Sequence, residues 1–252
     1  MAMKILKPAE HLIVAADFEP IAPNGRRWVR EQILALADSL QGTGVYFKVN
    51  SGLRAWGYDL ISEIQSRGLK VFADLKLFDI SKTLSIDGIL LREARPELLT
   101  VVCSAGVAAM RALKDELPDT EVLGVTVLTS LTDADTNAMF CCSTEGAVLR
   151  FAKMAEEARL NGFISSPKEA EMLRANFGVM MSINTPGIRP VWSIVPGDDQ
   201  NPDRIMTPAK AIKAGADRIV IGRPITQAKN PCDAVLRTIE EIQFFMSSSY
   251  AS

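Results

Sequence analysis

Residues 71–83 read VFADLKLFDISKT, an apolar run that closes on charge and then opens a helix. Val71 to Lys76 has the length and content of a buried strand, on which residues two apart point to the same face. Asp74 and Lys76 are therefore expected to project together, with Asp79 and Thr83 following in the turn and helix start. Two carboxylates and an ammonium this close in sequence form an array in which each group shifts the others' ionisation. An isolated D-x-K could equally be a salt-bridged strand end, so the flanking sequence has to decide.

Upstream, residues 11–17 (HLIVAAD) and 45–50 (VYFKVN) are apolar strands with Asp17 and Lys48 near their ends. Between them 27–40 has helical periodicity, and 52–67 predicts a second helix closed by Gly68. Downstream the alternation continues. Helix 82–95 precedes strand 98–103, and helix 107–116 precedes strand 121–129. A polar loop over 132–137 leads to helix 144–160, strand 162–165 and a helix opening at Pro167. Strand 179–184, helix 207–214, strand 217–221 and helix 233–245 complete the chain, with a frayed tail expected over 246–252. Eight short strands alternating with helices imply parallel βαβ units. The count, the length of 252 residues and the lack of a G-x-G-x-x-G after the first strand favour a single-domain α/β (β/α)8 barrel over 1–252. A doubly wound open sheet is the competing architecture.

Composition narrows the chemistry. Hydrophobic content of 48% and charged content of 23% are ordinary for a globular protein. A net charge of −2 gives no basic footprint for nucleic acid, so phosphate binding would have to be local. No apolar run approaches the roughly 20 residues of a membrane span, and the first residues lack a signal-peptide pattern. A cytoplasmic location is expected. The four cysteines (Cys103, Cys141, Cys142, Cys232) show no C-x-x-C spacing, and reduced thiols are the default. With His11 as the sole histidine, a Ser-His-Asp triad or a His-rich metal site has little to draw on. Lysine and carboxylate chemistry remains.

In such a barrel the active site lies at the C-terminal ends of the strands. Those ends carry Asp17, Lys48, Asp74, Lys76, Ser130, Pro186, Gly222 and Arg223. Phosphate is expected against the last two loops, which read Thr185-Pro-Gly-Ile-Arg-Pro and Ile221-Gly-Arg-Pro-Ile-Thr226, because backbone N–H groups and Arg223 can face an anion there. Each piece also has a plain reading: Gly and Pro form turns, and Arg189 and Arg204 can pair with nearby acids. The connection 186–206 is long for a barrel, which favours a lid.

Taken together, these strings resemble the orotidine 5′-monophosphate decarboxylase family. The resemblance runs from about Leu12 to Ala234. It rests on the Asp17 strand end, F-K-V with Lys48, D-x-K-x-x-D-I-x-x-T, V-L-T-S ending in Ser130, T-P-G-I-R-P, G-D-D-Q and G-R-P-I-T. It implies decarboxylation of orotidine 5′-monophosphate to uridine 5′-monophosphate, without metal or organic cofactor, as the last step of de novo pyrimidine nucleotide synthesis. Carried over by position, Asp17 would bind the ribose hydroxyls, supported by Lys48, and Asp74 would face the substrate carboxylate. Lys76 would protonate the carbon that loses carbon dioxide. Asp79, Ile80 and Thr83 would reach the neighbouring subunit's site, making the enzyme an obligate homodimer. Ser130 would bond the pyrimidine; Gln200, Gly222 and Arg223 would hold phosphate, with Pro186 a further substrate contact. The chain departs from the family at Cys103, where a histidine is usual, at Asn50, where a glycine is usual, and at Ala16, where a larger apolar residue is common.

Other readings stay open. Sugar-phosphate relatives, a keto-gulonate phosphate decarboxylase or a hexulose phosphate synthase, share the D-x-K-x-x-D strand but use a metal-binding acid after strand two, where this chain has Lys48 and Asn50. A non-catalytic phosphate-binding barrel, or a scaffold with an exposed apolar patch, would come from another class.

Overall fold

The structure, a computed structural model, describes residues 6–21, 25–193 and 206–249. The elements run β1 (Leu12–Ala15), α1 (Gly25–Ser39), β2 (Tyr46–Val49), α2 (Ser51–Trp56), α3 (Asp59–Gln65), β3 (Lys70–Leu77), α4 (Ser81–Ala94), β4 (Leu98–Val102), α5 (Val107–Asp115) and β5 (Glu121–Val125). They continue with α6 (Asp133–Phe140), α7 (Thr144–Glu157), β6 (Gly162–Ile164), α8 (Ala170–Phe177), β7 (Ser182–Pro186), α9 (Pro208–Lys213), β8 (Arg218–Ile221), α10 (Arg223–Thr226) and α11 (Pro231–Ser249). The strands close in sequence order into a barrel. β8 pairs parallel with β1, Leu12 opposite Ile219, which excludes the open doubly wound sheet.

Strand alternation sorts the side chains into two cores. Ile13, Ala15, Tyr46, Phe72, Leu98, Leu123 and Val220 fill the barrel interior. The intervening strand residues, such as Val14, Phe47, Ala73 and Ile183, pack outward against the apolar stripes of the helices. At the N-terminal end Arg218 is buried, paired with Glu121 at 2.9 Å and set 5.0 Å from the Tyr46 ring centre. That end is plugged, leaving the C-terminal ends to form the cavity.

Several sequence expectations are corrected. His11 belongs to a 3₁₀ turn, Pro8–His11, that precedes β1. Helix 52–67 is two helices, because Gly57 at φ 76° ends α2. Strand four stops at Val102, with Cys103 opening a 3₁₀ turn, and strand five stops at Val125. The 132–137 loop is the start of α6, for Thr132 and Asp135 form a reciprocal capping box. β7 begins at Ser182, since Val179 and Met180 are exposed in the turn after α8. The closing helix runs on to Ser249 through most of the expected tail, while 250–252 lie outside the described residues. So do residues 194–205 of the expected lid, Gln200 and Arg204 among them.

Candidate active site

The ends of β1, β2 and β3 bring four charged residues, Asp17, Lys48, Asp74 and Lys76, to one wall of the cavity. Lys48 projects from β2 into the barrel, and its Nζ lies 2.7 Å from Asp17 Oδ2 and 3.3 Å from Asp74 Oδ2. Lys76 Nζ reaches the same Asp74 oxygen at 2.6 Å. Asp74 and Lys48 are buried, while Lys76 and Asp17 keep access to the cavity. The other Asp74 oxygen, Oδ1, accepts from the Thr100 hydroxyl at 2.9 Å. Asn50 Nδ2 stands 3.4 Å from Oδ2.

Asp74 and Lys76 meet, but not by plain strand alternation. The β3–β4 register shifts between Ala73 and Leu77, and Lys76 adopts φ 49° in the left-handed region. This irregularity sits where β3 leaves the barrel and lets Lys76 fold back onto Asp74.

Burial alone would push the Asp74 carboxyl up. The Lys48 and Lys76 ammoniums, with hydrogen bonds from Lys76 and Thr100, outweigh it and hold the carboxyl below its ordinary value of 3.8. Asp74 is thus an anion at neutral pH, held by cations on two sides. Such an array can press negative charge on a bound anionic group and supply a proton from Lys76.

A cavity of about 550 Å³ opens beside the array. Asp17, Lys48, Asp74, Lys76, Pro186, Gly222 and Arg223 all line it. Phe72, Val125, Val127, Leu128 and Ile164 give it an apolar wall, and Gly187 to Arg189 close the side facing Arg223. Ser130 is exposed and is not part of the lining, which its neighbour Thr129 joins instead. Asp79, Ile80 and Thr83 also fall outside it: Asp79 and Ile80 are exposed before α4, and Thr83 is half-buried in its first turn. Gln200 lies outside the described residues.

Sequence reasoning did not single out Thr100 or the contact of Asn50 with Asp74. A threonine within the apolar strand LLTVV was the available signal for the first; no local pattern announces the second. Among the described residues, no three His, Cys, Asp or Glu side chains stand together in a way that could hold a metal ion.

Comparison with known proteins follows the same geometry. The family described as "Orotidine 5'-phosphate decarboxylase / HUMPS family" matches residues 10–238. The chain is 36% identical over 241 residues to an orotidine 5′-phosphate decarboxylase of Saccharophagus degradans, covering 93% of this chain and 94% of that protein. It is 38% identical over 213 residues to that of Idiomarina loihiensis, covering 82% and 90%. The crystal structure of orotidine 5′-phosphate decarboxylase from Lactobacillus acidophilus superposes with a TM-score of 0.77 at 30% identity, covering 92% of this chain and 99% of that one.

Proposed function

The chain belongs to the orotidine 5′-phosphate decarboxylase / HUMPS family, and from that premise we propose that it converts orotidine 5′-monophosphate to uridine 5′-monophosphate and carbon dioxide. This would be the last step of de novo pyrimidine nucleotide synthesis. The observation that carries the reading is the buried Asp74 carboxylate, bridged by Lys48 and Lys76 on the wall of the cavity. The cavity volume of about 550 Å³ lies within the usual range for small-ligand sites.

In this reading the nucleotide lies across the mouth of the barrel. Gly222 and Arg223 take the phosphate with Gln200, Asp17 takes the ribose hydroxyls, and Pro186 is a further substrate contact. The scissile carboxylate sits against Asp74. Because Asp74 stays ionised, its charge opposes that of the substrate carboxylate, and the opposition ends as neutral carbon dioxide departs. The electron pair of the broken bond remains on the ring carbon. The Lys76 ammonium balances that charge and then donates its proton to the same carbon, giving the product. Phosphate binding far from the reacting carbon can lower the barrier where it helps to align the pyrimidine.

The functional unit in this reading is a homodimer, with Asp79, Ile80 and Thr83 serving the neighbouring site. The exposure of Phe78 (62%) and Ile80 (70%) beside Asp79 supports it.

The test is to add orotidine 5′-monophosphate to protein in excess chelator and follow its ultraviolet absorbance. Conversion to uridine 5′-monophosphate is expected, and Lys76→Ala should lower kcat by at least about a thousandfold while nucleotide binding survives. Failure of the wild-type protein to convert it, with sugar phosphates accepted instead on adding a divalent cation, would transfer the chain to the sugar-phosphate branch. Near-wild-type turnover by Lys76→Ala would remove Lys76 as the acid.

A further inference from the structure

Thr100 is fully buried in β4 and does not line the cavity, yet its hydroxyl stands between the two residues assigned to the chemistry. Its Oγ1 donates to Asp74 Oδ1 at 2.9 Å and accepts from the Lys76 backbone N–H, also at 2.9 Å. A hydroxyl has one proton to give and lone pairs to receive. With a carboxylate on one side and an N–H on the other, both directions are fixed.

The second bond lies inside the β3–β4 register shift, at the residue with φ 49°. Within that interruption of the ladder, the Lys76 N–H is given to a side chain of β4. The first bond fixes the Asp74 oxygen that the lysines leave free, since Lys48 and Lys76 both approach Oδ2. One buried group therefore sets the carboxylate orientation and the backbone from which the Lys76 side chain departs.

We propose that Thr100 is a positioning residue for the reaction, its hydroxyl fixing the geometry between the Asp74 carboxylate and Lys76. The proposal rests on the reading of Asp74 and Lys76 as the reacting pair. A valine there would keep the shape of the side chain, leave Asp74 Oδ1 without this donor and leave the Lys76 N–H unpaired. Serine would restore both bonds.

The experiment compares Thr100→Val and Thr100→Ser in two ways. In substrate-free protein, carbon-13 NMR of the aspartate carboxyls follows the Asp74 titration. With orotidine 5′-monophosphate, kcat, KM and the acid limb of kcat/KM are measured. The expected result for Thr100→Val is a kcat about a hundredfold lower with KM within a few-fold, and an Asp74 titration moved to higher pH. Thr100→Ser should recover both. A merely structural role would lower the melting temperature and leave the titration where it was. A folded Thr100→Val with unchanged kcat, or with an unchanged Asp74 titration, overturns the proposal. If that variant does not fold, Thr100→Cys, a weaker donor of similar size, takes its place under the same criteria. The substrate-free titration needs no turnover. Absence of decarboxylation by the wild-type protein therefore removes the functional reading, while an Asp74 titration indifferent to the hydroxyl removes this one.

Discussion

Lys76 at φ 49° shows how closely backbone and chemistry are joined at single residues here. The D-x-K spacing announces that Asp74 and Lys76 are neighbours, but spacing says nothing of a left-handed backbone, which is set by the partner strand. Cys103 is the opposite case. It stands where the resembled family has a histidine, is fully buried, and its thiol is pushed up to about 12 by burial, so it acts as an inert packing group rather than a nucleophile. Glu169 carries a consequence that can be measured. It caps the turn after β6, accepting from Ser166 N–H at 2.9 Å. Burial raises its carboxyl from 4.5 to about 7, against that hydrogen bond and the nearby Lys168 charge. The folded state thus keeps a proton that the unfolded chain has released, and stability falls as pH rises from 4.5 through about 7. Glu169→Gln keeps an acceptor for Ser166 and removes the ionisation. It should gain about 1 kcal/mol over wild type at pH 8, discounted for partial solvent exposure, and nothing at pH 4. Urea denaturation at the two pH values checks this; an equal offset at both would refute the assignment.

Among the described strands, β6 is the shortest, and it has no room at Gly162. Gly162 faces β7 so closely that a Cβ there would collide with the Ser182 carbonyl oxygen. Gly162→Ala should force β6 and β7 apart and cost about 3 kcal/mol, read as a lowered denaturation midpoint. A loss below about 0.5 kcal/mol would mean that the sheet yields easily at this seam. This constraint also marks what sequence could reveal of the elements. The closed barrel, the single domain and all eight strands were legible, because short apolar runs alternate with helical stretches along the whole chain. Strand seven was misplaced because Val179 and Met180 extend its apolar run into an exposed turn. The 52–67 helix was overextended because helical periodicity continues through Gly57, whose positive φ only the structure reveals. The α6 start was legible in principle, since Thr132 and Asp135 have capping-box spacing. At the site, the strand-end residues were legible from their charge. Thr100 showed only as a polar residue within LLTVV, and its hydrogen bond across the register shift is set by the partner strand.

At the scale of the whole molecule, a single barrel leaves some of the predicted site unused. Asp79 is exposed, does not line its own cavity, and accepts at Oδ1 from the Ile80 backbone N–H at 2.7 Å. Burial raises the Asp87 carboxyl, and the charge of Asp79 adds to that effect. Apolar surface surrounds the start of α4. α4 packs Leu84, Gly88 and Leu91 inward, yet Ile86, Ile89 and Leu90 are exposed along with Phe78 and Ile80 before it. A helix apolar on two faces is ordinarily covered on both. If a second copy covers this face and Asp79 completes the partner's site, two separately inactive variants can repair each other. Lys76→Ala and Asp79→Ala homodimers each lack a group at every site. Mixed and allowed to exchange subunits, they form heterodimers in which one site lacks both groups and the other lacks neither. At equal amounts, random exchange should restore about a quarter of the native sites. If Asp79 instead serves its own barrel, every site in every dimer lacks one group and mixing restores nothing. The recovered fraction therefore reads directly whether the active site belongs to one chain or two.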